Sequence, residues 1–261
     1  MRKLLFIFLT IVSLILSPIV YAEGPADEII GTWFLINGEG VSDTVSFFND
    51  GTYTHAAGGV AEDDGQPGME RGTFTWNETT GKITTVVQID TNGGWGFSPS
   101  DATEVIEING DTLVDHDDFG SDDVWTRLLT DNSNPIVGTW YGNDGSSFLW
   151  ASFFSDGSYF LTQDSSNDPS GQDGMENGTY TWDSNTGAFL GNAFDDTNGE
   201  WGFSHTQNDN LKAEVSADSL LLSGTDDGGA YDFRLTRLRK VDLTPDIDTP
   251  LPTLKITETE R

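Results

Sequence analysis

The chain says nearly the same thing twice. Gly68-Met69-Glu70-Arg71-Gly72-Thr73-Phe74-Thr75-Trp76 returns as Gly174-Met175-Glu176-Asn177-Gly178-Thr179-Tyr180-Thr181-Trp182. Asp90-Thr91-Asn92-Gly93-Gly94-Trp95-Gly96-Phe97-Ser98 returns as Asp196-Thr197-Asn198-Gly199-Glu200-Trp201-Gly202-Phe203-Ser204, and both pairs are offset by 106 positions. Solenoid repeats recur every ~20–50 residues, so a period this long marks a duplicated domain. Ile30-Gly31-Thr32-Trp33 matches Val137-Gly138-Thr139-Trp140, and Trp125-Thr126-Arg127-Leu128 faces Leu235-Thr236-Arg237-Leu238. The offset drifts to 107 and then 110 between these landmarks, as length changes in surface loops produce. Of the eight Trp, 33/140, 76/182 and 95/201 form matched pairs, whereas Trp125 and Trp150 have no partner. The units span 29–129 and 136–238, each roughly 100 residues, an ordinary size for a small all-β domain.

Short strand-like runs separated by Gly, Asn, Asp and Ser fill the first unit, without sustained helical periodicity. Strands are expected near 31–36, 44–48, 52–55, 73–76, 82–88, 104–108, 112–115 and 124–128. In Thr73-Phe74-Thr75-Trp76 the two aromatics share one face. Asn49-Asp50-Gly51 and Asn109-Gly110-Asp111 are hairpin turns, because these residues tolerate positive φ. Eight short antiparallel strands allow a sandwich or a barrel, and sequential hairpins favour the up-and-down barrel, which also removes sheet edges. The expected fold is all-β, with two tandem antiparallel up-and-down barrels.

Gly31-Thr32-Trp33 on the opening strand with Arg127 on the last, and Gly138-Thr139-Trp140 with Arg237 in the second unit, resemble the lipocalin and avidin-type barrels of the calycin group. In that group the early Trp closes one barrel end and the late Arg packs over it. The resemblance implies a barrel-closing role for Trp33, Arg127, Trp140 and Arg237, and a small-molecule carrier function. The later tryptophans of avidins are not recognisable, so biotin binding does not carry over. As a stability device, a Trp stacked by a guanidinium gains cation–π attraction and packing.

Arg2 and Lys3, an apolar run from Leu4 to Leu16, Ser17-Pro18 and Val20-Tyr21-Ala22 read as a signal peptide over 1–22. The expectation is a secreted or periplasmic bacterial protein without stable membrane insertion after cleavage. No Cys is present, which removes disulfides, thiolate metal sites and Cys nucleophiles together. The net charge of −31 becomes −33 without Arg2 and Lys3; such acidity excludes nucleic acid as a partner and repels anionic lipid. The units are joined by Thr130-Asp131-Asn132-Ser133-Asn134-Pro135, and 239–261 reads as a disordered, Pro- and Thr-rich tail.

His55, His116 and His205 have no counterparts in the other unit, and no nucleophile elbow, His-Glu-x-x-His or phosphate loop occurs. The chain is therefore expected to bind rather than catalyse. Gly-Met-Glu-x-Gly reads as a loop ahead of a strand ending in Trp, and Asp-Thr-Asn-Gly-x-Trp-Gly-Phe-Ser as a turn into the next strand; both doubled segments admit two readings. Their glycines and aromatics can serve turns and barrel-end packing. Alternatively, Trp95, Phe97, Trp201 and Phe203 can line a barrel mouth for an apolar or sugar ligand, with Glu70 and Glu176 as polar anchors. Calcium is a further option at Glu62-Asp63-Asp64, Asp115 to Asp123, Asp164 to Asp173 and Asp226-Asp227, although no EF-hand spacing is present. The leading expectation is a tandem carrier for a small apolar or carbohydrate ligand, and the alternative is a calcium-stabilised surface or matrix module. A third option is a barrel enzyme of isomerase or hydrolase type, marked by His55, His116 or His205 inside a cavity beside a carboxylate.

Overall fold

A computed structural model describes residues 28–239 except 39, 98–103, 117–121, 144–146, 166–170, 200 and 227–228. The expected leader (1–22), the tail after Arg239, and Asn167 and Asp168 of the acidic loop lie outside the described residues. The first unit contains β1 (Gly31–Asn37), β2 (Gly40–Phe47), β3 (Thr52–Ala57), β4 (Gly68–Trp76), β5 (Ile83–Asp90), β6 (Val105–Asn109), β7 (Thr112–His116) and β8 (Asp122–Arg127). The second contains β9 (Gly138–Asn143), β10 (Phe148–Phe153), β11 (Ser158–Asp164), β12 (Gly174–Trp182), β13 (Phe189–Asp196), β14 (Lys212–Ser216), β15 (Ser219–Asp226) and β16 (Gly229–Arg237), with a 3-10 turn at Phe203–Thr206.

Each unit is one eight-stranded antiparallel sheet, ordered β5-β4-β3-β2-β1-β8-β7-β6 and, identically, β13-β12-β11-β10-β9-β16-β15-β14. Both sheets curl until their outer strands touch at one end. Lys82 bridges Val105, flanked by hydrogen bonds from the Ile83 amide to Glu104 O (3.2 Å) and from the Ile106 amide to Gly81 O (2.8 Å). Ala188 and Lys212 repeat this seam. The fold is two tandem antiparallel barrels, each closed at one end of the seam.

Gly-Met-Glu-x-Gly, expected to be a loop ahead of a strand, instead forms the first half of β4 and of β12. Its glycines serve close strand approach. A Cβ on Gly72 would stand 2.2 Å from Val86 O, and one on Gly178 would stand 1.9 Å from Asn192 O. A register shift follows at Arg71/Gly72 and at Asn177/Gly178, and a bulge of this kind bends the strand around the barrel.

At the end where the chain enters, Trp33 is fully buried and donates its indole N–H to Ile29 O (2.9 Å). The Arg127 guanidinium lies 3.8 Å above that ring and donates to Ile30 O (2.7 Å) and Glu28 O (2.6 Å). Trp140 repeats the arrangement, with Ile136 O at 2.7 Å and the Arg237 guanidinium 3.9 Å from its ring. The motif glycine is a spatial requirement. Gly31 and Gly138 have φ of +129° and +127°, and a Cβ on either would stand 2.8 Å from the Arg Nη1. Burial pushes both guanidinium pKa values down, a sign of how far they have left water.

The barrels pack by the outer faces of β1–β4 and β9–β12, and the contact obeys an approximate two-fold. Phe34 meets Phe154 at 5.1 Å, and the equivalent pair, Tyr141 and Phe48, meets at 5.6 Å. On the axis Thr32 and Thr139 share a hydrogen bond of 2.7 Å, extended on either side to Ser46 and Ser152 at 2.8 Å. Met69 and Met175, also equivalent, join Ala56, Phe154 and Phe160 in a shared apolar cluster. Symmetry breaks where Arg71 forms an ion pair with buried Asp164, the equivalent positions being Asn177 and Gly58, and where the Gly59 amide donates to Asp195, whose counterpart is Ile89. Self-complementary contacts of this kind are those of a homodimer, here within one chain.

Candidate ligand-binding site in the first barrel

Opposite the Trp33 closure, the first barrel holds a cavity of about 540 Å³. Its wall is built from residues that alternate inward along successive strands. Leu35 comes from β1, Asp43 and Val45 from β2, His55 from β3, Leu113 and Asp115 from β7, and Asp123 and Trp125 from β8. Trp95, Gly96 and Phe97, from the connection after β5, complete it, with Glu62 at the rim.

Cross-strand register identifies the second-barrel counterpart of each wall residue. Leu35 pairs with Asp43 as Gly142 pairs with Leu149. Val45 pairs with His55 as Ala151 pairs with Leu161. On the far wall, Asp115 pairs with Asp123 as Leu222 pairs with Phe233, and Leu113 with Trp125 as Leu220 with Leu235. Four polar side chains facing the first cavity, Asp43, His55, Asp115 and Asp123, are thus Leu149, Leu161, Leu222 and Phe233 in the second barrel. There Leu161, Leu222 and Leu235 are buried in one continuous apolar core, with Leu149 and Phe233 packed against it.

His55 is 3% exposed, and burial alone pushes its pKa down to about 4, so it is neutral at pH 7. Its Nδ1 faces the Asn92 amide nitrogen at 3.1 Å and its Nε2 faces an Asp43 oxygen at 3.8 Å. With Asn92 donating to Nδ1, the proton of the neutral ring sits on Nε2. In the second barrel Asn198, the counterpart of Asn92, meets the side chain of Gln163 at 3.2 Å instead. Burial also raises the Asp43 pKa, against a hydrogen bond from Ser42. Trp125 is 8% exposed, its ring 6.2 Å from that of His55, and its indole N–H has no acceptor among the described residues.

The doubled aromatics divide between the two settings. Trp95 and Phe97 line the cavity, Phe97 also packing edge-on to Tyr53 at 5.2 Å. Phe203 instead sits in the second core, 4.9 Å from Phe189 and 5.7 Å from Phe153. It presses against Gly191, where a Cβ would stand 2.4 Å from that of Phe203; the first barrel has Thr85 there. Trp201 remains 39% exposed.

Glu70 and Glu176 are fully buried and do not line the cavity. Tyr53 donates its hydroxyl to Glu70, and Tyr159 donates to Glu176. Glu176 also accepts from the Phe203 amide (2.9 Å), the Ser204 amide (3.2 Å) and the Ser204 hydroxyl (2.6 Å). Burial raises its pKa despite these donors. The carboxylate thereby ties β12 to the segment carrying Phe203.

His116 bonds Asp122 at 2.7 Å, and His205 bonds Asp196 at 2.7 Å. Donor atoms of Glu176, Asp196 and His205 lie within 4.8 Å of one another, the one triad of metal-ligating type among the described residues. Of the suggested calcium ligands, Asp164 is buried against Arg71, and Asp173 accepts from the Ser165 amide at 2.7 Å.

No family model and no curated protein sequence matches this chain. Function therefore rests on the geometry, and its strongest feature was missed by motif reading. Asp43, His55, Asp115, Asp123 and Trp125 belong to no recognisable motif. The signal available in the sequence was their failure to repeat: His55 stands opposite Leu161, and Trp125 has no partner Trp.

Proposed function

We propose that the chain is an exported, non-catalytic binding protein that takes a small organic molecule into its first barrel, while the second barrel is a structural partner. The observation carrying this is the one-for-one exchange of Asp43, His55, Asp115 and Asp123 for Leu149, Leu161, Leu222 and Phe233. Polar groups at core positions cost stability unless something else uses them. Two copies of one scaffold, one apolar inside and one polar around a cavity, fit a division between support and binding. About 540 Å³ lies within the ~300–1,000 Å³ of small-molecule sites. The Trp–Arg closures and the curled eight-stranded sheets support the calycin resemblance as the setting for such a site. An apolar core in the second barrel also favours the surface-module alternative for that half of the molecule.

One observation favours catalysis: His55 beside Asp43 inside a cavity. Against it, a histidine of pKa about 4 is a weak base at neutral pH. Its Nε2 faces a carboxylate rather than a hydroxyl or thiol nucleophile.

The test is native mass spectrometry of the full chain from its own host. The comparison is a variant carrying the second-barrel residues, Asp43→Leu, His55→Leu, Asp115→Leu, Asp123→Phe and Trp125→Leu. An organic mass on the parent, absent from the variant, is the expected result. The same mass on both would move the ligand elsewhere. Calcium alone, lost on chelation, would leave the surface module ahead. A bare chain whose unfolding no amine, sugar or apolar ring shifts would end the binding reading.

A further inference from the structure

We infer that the ligand of the first barrel is a small organic cation, an amine whose ammonium group faces the carboxylates of the cavity while its body lies against Trp125 and Phe97. This rests on the first barrel being the binding site and names the chemistry of that site.

Asp43, Glu62, Asp115 and Asp123 line the cavity, and no Lys or Arg is among its lining residues. The acidity of the whole chain does not account for this. Three of the four occupy inward-facing wall positions that the second barrel, equally acidic outside, gives to Leu149, Leu222 and Phe233. A carboxylate drawn out of water is destabilised unless a cation meets it, and burial has already pushed the Asp43 pKa up. His55 adds no positive charge at neutral pH, and no Lys or Arg stands among the described lining residues, so the interior is anionic. A low-dielectric, one-sign cleft concentrates and holds the opposite charge.

The aromatic wall narrows the class from cation to organic cation. Phe47, Trp95, Phe97 and Trp125 all line the space, and aromatic faces attract ammonium groups as well as apolar bodies. A bare metal ion fits poorly. The metal-type triad among the described residues is Glu176, Asp196 and His205 in the other barrel, so the donors of the first cavity do not converge in that way. The indole N–H of Trp125 supplies the last constraint. Its ring is more than nine-tenths buried, and the N–H has no acceptor among the described residues. An unpaired buried donor is destabilising, and a ligand hydroxyl or ring nitrogen would relieve it. The best description is an amine carrying an acceptor at its far end.

Calorimetric titration of the full chain at neutral pH and low salt tests this with three probes of one shape: tyramine, its neutral alcohol tyrosol, and the anion 3-(4-hydroxyphenyl)propionate. Glucose serves as a sugar control. Tyramine is expected to bind at least about tenfold more tightly than tyrosol, with the anion weakest, and added salt to erode the tyramine advantage. Asp115→Asn and Asp123→Asn, nearly isosteric, should each weaken tyramine several-fold and leave tyrosol almost unchanged. Trp125→Phe should weaken both. Tyrosol equal to tyramine, a preferred anion, or glucose bound in their place would overturn the cation and leave the cavity as the binding site. Silence from every probe, charged or neutral, would overturn the cation and count against the binding reading as well.

Discussion

At the end where each chain segment enters, the two barrels are nearly superimposable: Trp33 under Arg127, and Trp140 under Arg237, with ring-to-guanidinium distances of 3.8 and 3.9 Å. At the opposite end they diverge, Asp43, His55, Asp115 and Asp123 facing a cavity where Leu149, Leu161, Leu222 and Phe233 face one another. Duplication lets the two requirements separate. What both copies keep is what either needs to stay folded, because each sheet must close and cap itself. What they do not share is released from that duty. The side chains that differ are therefore better markers of function than the motifs that repeat. Glu70 and Glu176 illustrate the converse: both repeat, and both are tied to a tyrosine inside the wall.

The largest effect should come from the shared end. Trp33→Ala and Trp140→Ala each remove a fully buried indole and should cost about 3–5 kcal/mol in their own barrel. Calorimetric unfolding measures both. If the closures are equivalent, the two losses agree within about 1 kcal/mol; a much smaller loss at Trp33 would mean that the first barrel is held by something else.

The unshared end should give the next effect, through pH. His55 has a folded pKa of about 4 against an ordinary value of 6.5. Between those values the unfolded chain binds the proton and the folded one does not. Stability from this group is thus fully present above pH 6.5 and falls as the pH drops toward 4, by about 3 kcal/mol at one pKa unit per 1.36 kcal/mol. Asp43 faces the ring and favours its cation, which works against the burial that lowers the pKa. Urea unfolding at pH 7 and pH 4.5 should show a first-barrel loss that His55→Leu abolishes. If His55→Leu keeps the same slope, carboxylates alone cause it.

Much of the fold was legible because it depends on local patterns that repeat. The eight expected strands of the first unit all exist, most with ends moved by a residue or two, and the Asp-Gly and Asn-Gly turns lie between them. One segment was not legible. Gly-Met-Glu-x-Gly looks like a loop from its glycines, yet these glycines answer to neighbouring strands in space, Val86 O and Asn192 O, which local sequence does not record. The site was half legible for the same reason. Trp95 and Phe97 stand out as doubled aromatics, but Asp43, Asp115 and Asp123 are lost among 43 acidic residues. Only the register of β2 against β1, and of β7 against β8, reveals that they face inward.

The smallest effect tests the symmetry of the interface against the asymmetry of the interiors. Thr32 and Thr139 share one hydrogen bond on the pseudo-two-fold axis, each also bonded to a serine of its own barrel. Replacing one by Val leaves the opposite hydroxyl and the adjacent serine short of a partner in a buried setting. Thr32→Val and Thr139→Val should each cost about 1 kcal/mol. Symmetry requires the two values to agree within a few tenths. The double variant should cost less than their sum, because removing both partners removes the unmet hydrogen bond as well. Unequal singles would mean that the divergence of the cavity walls extends through β1 and β9 into the contact. Equal singles with a sub-additive double would confine it to the inner faces, where the cavity lies.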